Sequence, residues 1–106
     1  MALELNEKNF DTVINSGKVV LVDFGAEWCM PCKMMGPVID ELANEVDDGK
    51  VVIAECDVQA EPKIAQRFSI MSIPTLLIFK DGKAMEQMIG VAPKRKIKEK
   101  INQYIS

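Results

Sequence analysis

VVLVDFGAEWCMPCKMMGPVIDELA, residues 19–43, carries two different periods and, where one gives way to the other, a pair of cysteines. The stretch opens with apolar side chains at successive rather than alternate positions. That is the pattern of a strand covered on both faces, and such strands belong to sheets with parallel pairing. Farther on, Met35, Val38, Ile39, Leu42 and Val46 recur at helical spacing. Pro37 lies inside this pattern, where it removes one backbone hydrogen bond and is expected to kink the helix. Asp47-Asp48-Gly49 stops it. Cys29 and Cys32 thus fall between the end of a central strand and the first turn of a helix.

On the N-terminal side, Asn6 is placed to cap a short helix carrying Phe10, Val13 and Ile14, ended by Ser16-Gly17. On the C-terminal side, VVIAECDV (51–58) is a second strand of the buried type, and Pro62 opens a short helix through Ile64, Ala65 and Phe68. TLLIFKDGKAMEQMIG (75–90) divides into two strand-like runs at Asp81-Gly82, a hairpin signal that makes the pair antiparallel. Pro93 starts a last helix with Ile97, Ile101 and Ile105 on one side. These elements predict an α/β fold, a mixed sheet with helices on both faces. Neither an internal repeat nor a Gly, Pro or Ser-rich linker interrupts the 106 residues, so a single domain over residues 1–106 is expected.

With 48% hydrophobic and 27% charged residues the chain has the composition of an ordinary soluble domain. A formal net charge of -3 gives no field that would recruit nucleic acid or an anionic membrane surface. No apolar run approaches the roughly 18 residues of a membrane span. The N-terminal MALELNEKNF carries Glu4 and Glu7 where a signal peptide needs an uninterrupted apolar segment, so a cytoplasmic location is expected. In a reducing compartment, closely spaced cysteines serve metal or redox chemistry rather than a disulfide framework. A closed zinc site takes four ligands. Here there is one pair, no histidine and a lone Cys56 in a strand.

Redox use therefore fits the dithiol best. At a helix start, unpaired N-H groups and the positive end of the macrodipole favour a thiolate, which makes Cys29 the better nucleophile. Cys32, three residues on, faces the same side one turn deeper and can attack a mixed disulfide formed at Cys29. Pro31 suits the first helical turn and stiffens the loop, and Lys33 adds a cation nearby.

A C-x-x-C beside a βαβ pattern marks a redox motif, and the chain resembles the thioredoxin family along nearly its whole length. The resemblance is carried by residues 19–43, by SIPTLLIFKDGK (72–83) and by IGVAPKRKIKEKI (89–101). It implies the thioredoxin fold and a thiol-disulfide oxidoreductase that reduces disulfides in other proteins without a bound cofactor. In that family Cys29 corresponds to the exposed attacking cysteine, Cys32 to the resolving one and Trp28 to a docking neighbour of both. Pro74 matches the proline that is cis and faces the dithiol. Ile73 matches the residue whose backbone pairs with an extended target segment, and Gly90 allows close approach on the same surface. Asp23 matches a carboxylate that exchanges a proton with the deeper thiol, which agrees with its place in an otherwise apolar strand. The resemblance also implies a separate reductase, either a flavin enzyme fed by NADPH or a ferredoxin-linked system. A monomer suffices for this chemistry.

The sequence departs from the family pattern at three positions. Met30 stands where glycine is common, adding an oxidisable apolar side chain at the contact surface. Gly25 replaces a common aromatic. Glu55 aligns with a frequent lysine, so two carboxylates would compete for one proton if Glu55 points toward Asp23. Met71 is open to two assignments, core or contact surface. Cys56 reads as a small apolar core residue, and Lys94, Arg95, Lys96, Lys98 and Lys100 as a solvated helix face rather than a patch for an acidic partner. An oxidase or isomerase role, and a non-catalytic binding module, are the alternatives to a reductase.

Overall fold

The computed structural model describes residues 2–105, so the span expected for the domain runs one residue beyond the description at each end. In chain order the elements are β1 (Leu3–Glu4), α1 (Phe10–Ile14), β2 (Val19–Gly25), α2 (Met30–Glu45), β3 (Val51–Asp57), α3 (Pro62–Arg67), β4 (Thr75–Lys80), β5 (Lys83–Ile89) and α4 (Lys94–Asn102). The five strands form one sheet in the order β1-β3-β2-β4-β5. β3 pairs in parallel with both β1 and β2, while β4 runs antiparallel to β2 and β5 antiparallel to β4.

β2 lies at the centre because its side chains can be buried on both faces. Val20, Val22 and Phe24 join Phe10 and Ile14 of α1 and Ile64 of α3 in one core. Val19 and Leu21 point the other way, into a second core with Met35, Ile39 and Leu42 of α2 and Ile97 and Ile101 of α4. In the first core Phe79 packs edge-on against Phe10 and Phe68 at centroid distances of 5.8 and 5.2 Å, each such pair adding about 0.5–1.5 kcal/mol beyond its area burial.

Local signals mark the boundaries with small displacements. The Asn6 side chain accepts from the backbone of Lys8 and Asn9, yet the regular helix begins only at Phe10, one turn later than the cap predicts. α2 runs through Pro37 as one helix and stops at Glu45, leaving Val46 as its C-cap. Phe68 is likewise the C-cap of α3, and Ile105 lies past the end of α4 while still packing against the second core. β1 has no counterpart among the elements expected from the sequence, because two exposed residues carry no periodicity.

The basic run of α4 is largely matched within the chain. Lys94 and Lys98 both bond Glu45 of α2, at 2.6 and 2.8 Å, Lys100 pairs with Glu86 of β5 and Arg95 with Glu99. The two lysines hold the Glu45 carboxyl down at about 2. This agrees with a solvated helix face and fastens α4 to its neighbours.

Asp81 and Gly82 both have positive φ, 52° and 80°, as the two-residue hairpin between β4 and β5 requires. The Gly82 N-H donates to the Ile14 carbonyl at 2.9 Å, and a Cβ on Gly82 would run into Asn15 Oδ1. Gly82→Ala is therefore expected to lower stability by about 1–2 kcal/mol, read as a lower denaturant midpoint with unchanged slope. A midpoint equal to wild type would show that the hairpin tolerates a side chain there.

Candidate functional site

Cys29 is the N-cap residue of α2, and Pro31 occupies its first turn. The proline has no N-H to leave unpaired there. The Cys32 N-H donates to Cys29 Sγ at 3.2 Å. The two cysteines are joined by a disulfide with their Cα atoms 5.2 Å apart, inside the ordinary range for such a bond. Both sulfurs therefore sit where the free N-H groups of a helix start favour negative charge.

Across from them, the Ile73-Pro74 peptide bond is cis, in agreement with the expectation for Pro74. The Ile73 carbonyl oxygen lies 3.9 Å from Cys29 Sγ. Gly90, at φ 88°, donates its N-H to the Pro74 carbonyl at 2.8 Å, which brings the end of β5 alongside this loop. Around the dithiol the surface is apolar and uncovered. Trp28 and Met30 are about two-thirds exposed, and Met71 is 92% exposed. Core packing of Met71 is thereby excluded. Pro31 is exposed too, and Ile73 and Gly90 are half-buried. Three more exposed apolar residues neighbour these and are absent from the set expected from the sequence: Met34, one turn after Met30 on α2, and Ile89 and Val91, on either side of Gly90. Their adjacency to Met30 and Gly90 is the signal that could have found them.

One expectation needs correction. Cys29, anticipated as the exposed thiol, is only 5% exposed, whereas Cys32 is half-buried. Gly25 is the reason: a Cβ at that position would stand 3.2 Å from both Cβ and Sγ of Cys32. With no side chain at Gly25, Cys32 opens into a cavity of about 230 Å³ that also reaches Asp23, Lys33 and Glu55.

Asp23 is 8% exposed, and its Oδ1 has no hydrogen-bond partner. Burial, reinforced by the charge of Glu55, pushes its carboxyl up to about 7. Glu55 faces it in register across the β2–β3 step, which confirms the suspected proximity of the two carboxylates. Burial and the charges of Glu4 and Asp40 raise the Glu55 carboxyl as well. Cys56 is 1% exposed in the first core, and its thiol is pushed up to about 12 by burial, as suits an inert apolar side chain.

A disulfide at a helix start, faced by a cis-proline loop and backed by a buried carboxylate, on a mixed sheet with helices on both faces, defines a thiol-disulfide oxidoreductase. The thioredoxin family model matches residues 1–103. A thioredoxin of Chlorobaculum thiosulfatiphilum is 50% identical over 96% of this chain and 94% of its own. One from Staphylococcus saprophyticus is 46% identical over 97% of each. Among solved structures, a mutant thioredoxin from Halobacterium salinarum NRC-1 superimposes with a TM-score of 0.90 at 32% identity, covering 99% of this chain and 91% of that one. The thioredoxin of Malassezia sympodialis gives 0.88 at 33% identity, with coverage of 98% and 90%. The chain belongs to the thioredoxin family. It is a protein-disulfide reductase that works through a reversible Cys29-Cys32 dithiol, and the family implies a reductase upstream and disulfide-containing substrates downstream.

Proposed function

We propose that Cys29 is the attacking thiol, Cys32 the resolving thiol and Asp23 the group that exchanges a proton with Cys32. The Cys29 thiolate attacks one sulfur of a target disulfide. The target's S-S bond breaks, its other sulfur leaves as a thiolate, and a mixed disulfide forms at Cys29. Asp23 in its ionised form takes the Cys32 proton. The Cys32 thiolate then attacks Cys29 Sγ, closing the Cys29-Cys32 disulfide and releasing the second target thiolate, so that two electrons have passed to the target.

The observation that carries the assignment is the N-cap position of Cys29, whose sulfur accepts the Cys32 N-H. An N-H donor stabilises a thiolate on the atom that accepts it, independently of exposure. The Ile73 carbonyl beside the same sulfur is available to pair with an extended target backbone. Trp28, Met30, Pro31 and Met71 with half-buried Gly90 form the apolar ground on which it lies, and buried Pro74 holds the Ile73 loop from behind. Lys33 and Glu55 tune the charge around Cys32.

The electrons come from a thioredoxin reductase, either an NADPH-fed flavin enzyme or a ferredoxin-linked one, and the protein works as a cytoplasmic monomer of one domain, with no nucleic acid or membrane partner. Labelling tests the division of labour between the cysteines. The reduced protein, given about one equivalent of iodoacetamide near pH 7, is expected to carry the label on Cys29, located by peptide mass. Equal or preferential labelling of the more open Cys32 would overturn the assignment.

A further inference from the structure

Glu4, Glu55 and Asp23 stand in register on three adjacent strands: Glu4 opposite Glu55 across β1–β3, and Asp23 opposite Glu55 across β2–β3. Parallel neighbours in register point to the same face of a sheet, and adjacent strands lie about 4.8 Å apart. The three carboxylates therefore form a row on the α2 face. Exposure grades along it, from Asp23, nine-tenths buried with an unpartnered Oδ1, to exposed Glu55 and Glu4 at the edge. All three line the cavity into which Cys32 opens.

We propose that Glu55 is a positioning residue for the proton exchanged at Asp23, and that Asp23, Glu55 and Glu4 act as one proton-sharing ladder leading from Cys32 to solvent. This rests on Asp23 being the proton partner of Cys32. Like charges at neighbouring rungs cannot all ionise together without cost, so a proton on any rung is shared by the row. The other charged and titratable groups facing the row are few. α2 contributes Cys32, Lys33 and Asp40, the loop before it Glu27, and β3 contributes Asp57, with Cys56 bordering the same cavity from the first core, whereas β4 offers only Leu76 opposite Asp23. Among the described residues neither Asp23 nor Glu55 has a cationic partner within ion-pair distance, and no three ligating side chains come together to hold a metal ion. Protons, rather than a bound cation, are left to relieve the repulsion.

The sign follows from the reaction. Asp23 must be ionised to take the Cys32 proton, so the resolving step speeds up as pH rises through its titration. Removing the neighbouring negative charge lowers that titration and moves the rise to more acid pH. The experiment follows the Asp23 carboxyl by carbon NMR in the oxidised full chain, and in parallel the pH profile of target-disulfide reduction. Wild type, Glu55→Gln, Glu4→Gln, Asp23→Asn and the Asp23→Asn/Glu55→Gln double variant are compared.

In wild type the Asp23 signal is expected to titrate in two steps, reporting its neighbour as well as itself. Glu55→Gln should leave one step, about one pH unit lower, with the reaction profile moving equally. Glu4→Gln should move both in the same direction by less. In the Asp23→Asn background Glu55→Gln should change nothing, as a residue acting through Asp23 requires. Glu55 is exposed, so its replacement leaves the core intact. An Asp23 titration unmoved by Glu55→Gln would overturn the ladder, and so would an equal shift of the reaction profile without Asp23. An Asp23→Asn variant that keeps the wild-type reaction profile would instead sink the proton-exchange reading, and the two failures are read on different signals.

Discussion

Cys32→Ser is expected to abolish turnover and leave the protein covalently attached to its target. Cys29 keeps its place at the N-cap of α2, so formation of the mixed disulfide is unimpaired. What is lost is its disulfide partner, and Cys56, the remaining thiol, does not replace it, being 1% exposed in the first core with its thiol pushed up to about 12 by burial. A serine hydroxyl, whose pKa lies far above that of a thiol, cannot displace the target. A non-reducing gel of the variant with a disulfide-bearing substrate should show a one-to-one adduct that a small thiol dissolves, with no catalytic reduction. Cys29→Ser should show neither adduct nor turnover. An adduct formed by Cys29→Ser instead would reverse the two roles, an outcome with real content here because Gly25 leaves Cys32 the more open residue. Retained turnover in Cys32→Ser would remove the two-thiol mechanism altogether.

How far the sequence discloses this site depends on whether the relevant contact is local. The boundary between the buried run of β2 and the helical period of α2 is written in consecutive residues, and so is the Asp81-Gly82 turn, which is why the dithiol's position at a helix start is legible. The resemblance supplies the cis Ile73-Pro74 bond, which local sequence alone does not determine. β1 is invisible because a two-residue strand exists only through its pairing with β3. The relative openness of the two cysteines runs opposite to expectation, since it depends on a side chain that Gly25 lacks across a tertiary contact. Met71 is ambiguous in sequence for a related reason: thioethers suit cores and contact surfaces equally, and only the loop's path decides. Glu55 stands out through its departure from the family pattern, but Glu4 enters the row only once strand register is known, and register is a non-local property.

Asp23→Asn should flatten the dependence of stability on pH. An aspartate that titrates at about 7 in the folded chain, against 3.8 ordinarily, binds its proton more tightly folded than unfolded. Its contribution is therefore fully present below the unfolded value and is lost as pH rises through the folded one. Between about pH 5 and pH 8 the wild type should lose on the order of 3 kcal/mol, the product of about two pH units and 1.36 kcal/mol per unit. Glu55, raised as well, adds to the loss with the same sign. Glu45 acts elsewhere: its carboxyl is depressed, so what it contributes holds above its unfolded value and disappears only as pH falls through about 2. Denaturant unfolding at a series of pH values should thus give a falling line for wild type and a much flatter one for Asp23→Asn, with the variant the more stable protein at alkaline pH. The same variant should resolve mixed disulfides more slowly, because an amide in place of the carboxylate cannot accept the Cys32 proton. Parallel stability curves would place the Asp23 titration near that of an ordinary carboxylate and remove the physical basis for its proton exchange. A flattened curve with an unchanged resolving rate would separate the two properties, leaving a buried charge that destabilises the fold without serving the thiol.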